Sequence, residues 1–93
     1  MESRSRQKIP GGKLVEVRVE YGERILGVEI VGDFFMHPEE ALGRIEDCLI
    51  GMRSGEAEGA MAEAIRKEAE NAGVEMIGIS PEAIAKAIKM AIG

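Results

Sequence analysis

The strongest constraint on this chain is a pair of alternating runs around a short turn. In "KLVEVRVEY", Val15, Val17, Val19 and Tyr21 fall on one face and Glu16, Arg18 and Glu20 on the other. Such period-two alternation predicts a strand with one dry and one wet side. "YGER" supplies a turn at Gly22, and "ILGVEIV" then sets Leu26, Val28 and Ile30 against Gly27, Glu29 and Val31. Two alternating runs joined by a Gly-containing turn predict a β-hairpin. A hairpin is marginal alone, so the rest of the chain has to cover its apolar face.

The downstream sequence supplies three helical patterns for that purpose. Gly32 and Asp33 stop the second strand, and Pro38, with Glu39 and Glu40, suits the start of a helix over 38–50. Leu42, Ile45 and Leu49, flanked by Ala41 and Cys48, form its apolar stripe. A second helix is expected over 56–72, with Ala57, Ala60, Met61, Ala64 and Ile65 on one side and Gly73 as the C-terminal cap. "VEMIGI" suits an extra edge strand or a loop. In "SPEAIAKAIKMAI", Ser80 caps, Pro81 opens the helix, and Ile84, Ala87, Ile88 and Ala91 share a face. The expected fold class is therefore α+β: an N-terminal hairpin covered by three helices, as one domain over residues 13–93. Residues 1–12 are expected to be a basic, solvated arm.

Composition excludes several functions. The net charge is −5, yet Arg4, Arg6, Lys8 and Lys13 cluster near the start against Glu2 alone, so the body is strongly acidic. An acidic body argues against a nucleic-acid surface, which needs clustered Lys and Arg. No apolar run approaches the roughly 20 residues that cross a membrane, and the first residues lack the apolar core of a secretory signal. A single cysteine, Cys48, forms no internal disulfide or multi-cysteine metal site and suits the reducing cytoplasm.

Catalytic equipment is not visible. The sequence has no nucleophile triad, HExxH or CxxC pattern. His37, the only histidine, reads as a capping or surface residue beside Pro38, and Cys48 as a structural thiol on the first helix. "PGGKL" lacks the spacing and the following Ser/Thr of a P-loop. Its glycines, Gly11 and Gly12, still permit close backbone approach to a ligand or partner, which makes Lys13 a candidate phosphate contact. Both phenylalanines of the chain, Phe34 and Phe35, follow Gly32 and Asp33 at the strand-to-helix turn. Adjacent residues there do not readily point the same way. Either both fill the core, or one plugs the hairpin and the other faces a partner.

The stretch "PGGKLVEVRVEYGERILGVEIVGDFFMHPEEAL" resembles the C-terminal accessory domain of lipoate–protein ligases, in which Gly-Gly-Lys leads through a hairpin to a Gly-Asp-Phe-Phe turn and a helix. The likeness covers residues 8–50 closely and the remainder, with "ISPEAIAKAI", in outline. It implies a fold like the SufE and IscU sulfur-transfer scaffold. It also implies membership of a ligase that joins lipoate to a lysine of lipoyl domains through lipoyl-AMP. The family's Arg-Arg-x-Ser-Gly-Gly-Gly signature is absent, so the expectation is a non-catalytic small subunit resembling the split archaeal arrangement. Its partner would be the large catalytic subunit, and a lipoyl-domain protein the indirect acceptor. No cofactor is expected on this chain alone; ATP, Mg and lipoate would meet at the assembled complex. Gly11, Gly12, Lys13, Gly32, Asp33, Phe34 and Phe35 are the expected surface for partner docking or closure of the adenylation site. Two other classes stand beside this one: a binding module unrelated to lipoate, and a sulfur carrier using Cys48.

Overall fold

A computed structural model describes residues 1–9 and 13–93. Strands β1 (Glu2–Ile9), β2 (Lys13–Tyr21) and β3 (Ile25–Gly32) form an antiparallel sheet in that order. Two further short strands, β4 (Phe35–His37) and β5 (Glu75–Ile77), make a separate antiparallel ribbon. Helices α1 (Ala41–Leu49), α2 (Glu58–Ala72) and α3 (Pro81–Ile92) complete the chain. α1 packs on β3, α3 on β1 and β2, and α2 on the other two helices. The α+β class expected from the patterning is the one observed.

The hairpin forms as read. Val15, Val17 and Val19 are completely buried and meet Ile45, Ile84 and Ile88 in one core. Burying each such side chain is worth about 1.5–3 kcal/mol. The second strand departs from strict alternation. Glu20 pairs with Gly27 but Tyr21 pairs with Ile25, so Leu26 is an extra residue. This bulge reverses the phase: Ile25 is buried, whereas Leu26, expected to face inward, is exposed.

The N-terminal segment corrects a second expectation. Residues 2–9 are not an arm outside the domain but the sheet's first strand, in register with β2 from Glu2↔Glu20 to Ile9↔Lys13. Its inward row is Ser3, Ser5, Gln7 and Ile9, and the Ser5 hydroxyl donates to the Ala87 carbonyl of α3. Backbone pairing and this polar tie take the place of an apolar stripe.

The helices follow their stripes with two adjustments. Helix α1 begins at Ala41 instead of Pro38, because residues 38–42 make turn bonds from Ala41 N–H to Pro38 O and Leu42 N–H to Glu39 O. Its buried row is Ala41, Ile45 and Leu49, with Leu42 and Cys48 partly covered. In α2 the buried row is Met61, Ala62 and Ile65, while Ala57 and Ala60, expected on the stripe, lie exposed at the helix start. Gly73 closes α2 at φ 65°, its N–H reaching the Ala69 and Glu70 carbonyls. Ser80 caps α3 by accepting from Ala83 N–H at 3.1 Å, with Pro81 in the first turn. The last strand and helix thus realise the edge-strand reading of "VEMIGI" and the helical reading of "SPEAIAKAIKMAI".

Candidate functional site

The Gly-Asp-Phe-Phe segment sits where the main sheet hands over to the small ribbon. Gly32 ends β3 opposite Val15, and a Cβ placed on it would lie 2.2 Å from the Leu14 carbonyl oxygen. Only glycine fits this crossing. Asp33 then donates its N–H to the same Leu14 oxygen at 3.0 Å, which turns the chain out of the sheet.

The next two side chains part company. Phe34 is half-buried and packs against the core, whereas Phe35 is 72% exposed. This is the divided arrangement, not the one in which both rings fill the core. The ribbon explains the split through its period of two. Met36 turns inward opposite Met76, while Phe35 and its partner Ile77, itself 53% exposed, share the outer face with His37 and Glu75. An apolar pair standing out on a short ribbon is a feature that the interior does not require. Ile77 was not among the expected site residues. The alternation of "EMI" opposite "FMH" is the signal that finds it, once the pairing is known.

Lys13 joins this junction from the start of β2. Gly78, at φ 81° between β5 and α3, stands where an added Cβ would lie 3.6 Å from both the Asp33 carbonyl oxygen and Lys13 Cε. Lys13, Asp33 and Gly78 therefore meet at the base of the ribbon, and the Lys13 side chain is exposed. The structure brings together Lys13, Gly32, Asp33, Phe34 and Phe35. Gly11 and Gly12 lie outside the described residues.

Other groups offer less chemistry. Cys48 is half-buried on α1, its thiol hydrogen-bonded to the Ile45 carbonyl at 3.0 Å. Burial, with Glu68 and Asp47 adding repulsion, pushes the thiol up to about 11. Such a group is protonated at neutral pH and is a poor nucleophile. Among the described residues no group of three or more His, Cys, Asp or Glu could hold a metal ion, and every buried side-chain polar atom has a hydrogen-bond partner. Among the described residues no helix is long and apolar enough to cross a membrane. A shallow cleft of about 640 Å³ lies at the far end of β3, between the β2–β3 turn and residues 53–56. It contains none of the expected residues.

Comparison with known proteins places this geometry in context. A scan of protein-family models finds no match. Lipoate-protein ligase A subunit 2 of Thermoplasma acidophilum is 35% identical over 69 residues, which span 74% of this chain and 68% of that protein. A solved structure from the same organism, described as a bi-partite lipoate protein ligase and its E2 lipoyl domain in an archaeal lipoylation system, contains a similar chain. The two superpose with a TM-score of 0.75 at 32% identity, covering 95% of this chain and 94% of that one. With that identity, coverage and shared fold, the chain belongs to the lipoate–protein ligase A subunit 2 family.

Proposed function

We propose that this chain is the non-catalytic small subunit of a two-chain lipoate–protein ligase, acting in the cytoplasm. It assembles with a large catalytic subunit and is needed for ATP-dependent activation of lipoate, before transfer to a lysine of a lipoyl domain. The observation that carries the proposal is the ribbon: Phe35 and Ile77 stand outward in register, on strands that adjoin the junction of Lys13, Asp33 and Gly78, in a chain of this family. An exposed aromatic flanked by an aliphatic partner is an anchor of the kind that dominates interfaces.

On this reading the ribbon docks against the large subunit and the Lys13 junction helps close the adenylation site. In the reaction the lipoate carboxylate displaces pyrophosphate from ATP to give lipoyl-AMP, and the acceptor lysine then displaces AMP to give the amide. This chain would contribute to the first step alone, by excluding water and fixing orientation. The Lys13 ammonium, on a side chain free to reach outward, offsets negative charge developing on the phosphates. The described residues supply no ligand cluster for Mg²⁺, and on this reading such an ion would be held in the assembled complex.

The test is lipoate-dependent pyrophosphate release by the large subunit with and without this chain. Release should require both chains, and Lys13→Ala should slow it on the order of tenfold. Transfer from preformed lipoyl-AMP should proceed without this chain. Equal pyrophosphate release in both tubes would overturn the proposal, and an unaltered rate in Lys13→Ala would remove the electrostatic role.

A further inference from the structure

The two outer edges of the main sheet are treated differently. On β3 the Asp33 N–H to Leu14 O bond fixes the ladder phase, so that the Ile30 N–H points away from β2. That N–H is taken by the Glu46 carboxylate of α1 at 2.8 Å. On β1, Met1 and Tyr21 exchange both backbone bonds, at 2.9 and 2.8 Å. Alternation from that pair turns the backbone of Ser3, Ser5, Gln7 and Ile9 toward β2 and that of Glu2, Arg4, Arg6 and Lys8 outward. Among the described residues no hydrogen bond reaches the outward N–H groups of Arg4, Arg6 and Lys8.

The side chains at the same positions make the edge basic. Arg4, Arg6 and Lys8 project from the wet face, with Arg18 directly across from Arg4. Arg6 is paired with Glu16 at 3.2 Å, but Arg4 and Lys8 have no ion-pair partner among the described residues. At the C-terminal end of β1 a groove of about 270 Å³ opens toward the start of α3, between Gln7, Lys8 and Ile9 on one side and Glu58, Ser80, Glu82, Ala83 and Lys86 on the other; its two carboxylates disfavour acidic side chains there and leave them to the wet face. Side chains on the dry face of an added strand would enter it.

We propose that the free edge of β1 accepts an extended peptide segment with acidic side chains at alternate positions, added antiparallel as a fourth strand of the sheet. Backbone groups of Arg4, Arg6 and Lys8 bind its main chain, and their side chains select its charge. The intervening side chains, small or apolar, lie over Ile9 and Ala83. A second copy of this chain is the wrong occupant. Each two-fold register of β1 on itself that pairs six or more of residues 1–9 sets an arginine opposite another basic side chain, Arg4 on Arg4, Arg4 on Arg6, or Arg6 on Arg6, even where Glu2 meets Arg6 or Lys8, and like charges directly across a ladder are destabilising. This inference is independent of the ligase reading, because it rests on the edge opposite to β3 and uses none of the ribbon residues.

The experiment measures amide hydrogen exchange on the full chain with two synthetic octapeptides, one alternating glutamate with valine and one alternating lysine with valine. The acidic peptide should protect the N–H groups of Arg4, Arg6 and Lys8 and the lysine peptide should not. Arg4→Glu and Lys8→Glu break no ion pair, and each should weaken the acidic peptide roughly fivefold, while unchanged protection across β2–β3 reports an intact fold. Absence of protection, or protection indifferent to peptide charge, would overturn the proposal. So would protection that appears without peptide and rises with protein concentration, since it would put a second copy on the edge.

Discussion

Gly32 shows how one missing side chain sets the site. With a Cβ at 2.2 Å from the Leu14 oxygen, any larger residue has to push the two strands apart just before the chain leaves the sheet. Overpacking of this kind costs about 1–3 kcal/mol. Gly32→Ala should therefore lower the urea midpoint without altering the slope of the transition. Gly43→Ala is the contrasting case. That glycine lies within α1 with nothing near the added methyl, and the change should raise stability by about 0.5–1 kcal/mol. The glycine of the Gly-Asp-Phe-Phe turn is thus explained by geometry, and on the proposed reading recognition falls to the residues that follow it. Asp33 contributes backbone to the turn; Phe35 contributes surface.

Glu46 carries the corresponding argument for an element. Its carboxylate covers an edge N–H of β3 from α1, and partial burial raises its pKa above the ordinary 4.5. The Ile30 N–H bond opposes that rise, and repulsion from Glu29 and Asp47 adds to it. A carboxyl whose folded value is raised stabilises the fold fully below its unfolded pKa, and that contribution is lost as pH climbs through the folded value. Stability should therefore decline as pH rises from 4.5 through the raised value, and Glu46→Gln, which still accepts from Ile30, should flatten the decline in urea titrations across that window. The elements themselves were legible in unequal degree. Valine alternation in β2 and the Ser80–Pro81 start of α3 were plain, because each follows from a local rule. The Leu26 bulge was not, since one inserted residue reverses the inward face and leaves composition unchanged. Nor was β1: an alternation of Ser with Arg carries no hydrophobic phase, and its place in the sheet comes from pairing with β2 and from α3 beneath it.

For the whole molecule, the division is between a buried core and a ribbon whose outer face, on the proposed reading, serves assembly. Among the described residues seventeen buried hydrophobic side chains make one continuous cluster, and neither Phe35 nor Ile77 belongs to it. Phe35→Asp with Ile77→Asp should leave the unfolding free energy from urea titration within about 0.5 kcal/mol of the parent while weakening assembly with the proposed large subunit in sedimentation at matched concentrations. Loss of stability in the double variant with unchanged assembly would assign the ribbon to the fold instead. The pair was only half visible beforehand: the sequence displays Phe34 and Phe35, but pairing across residues far apart in the chain decides which ring is turned out. The same long-range closure has a consequence for how the protein comes into being. The dry face of β1 and β2 is covered by α3, through the Ser5 bond to Ala87 and the Tyr21 hydroxyl bond to the Ile92 carbonyl. On the ribosome, the hairpin is made early and its valine face waits uncovered until residues 81–92 have emerged. Until then a strand-rich, apolar surface is open to its neighbours, and the order in which the chain is made sets how long that exposure lasts.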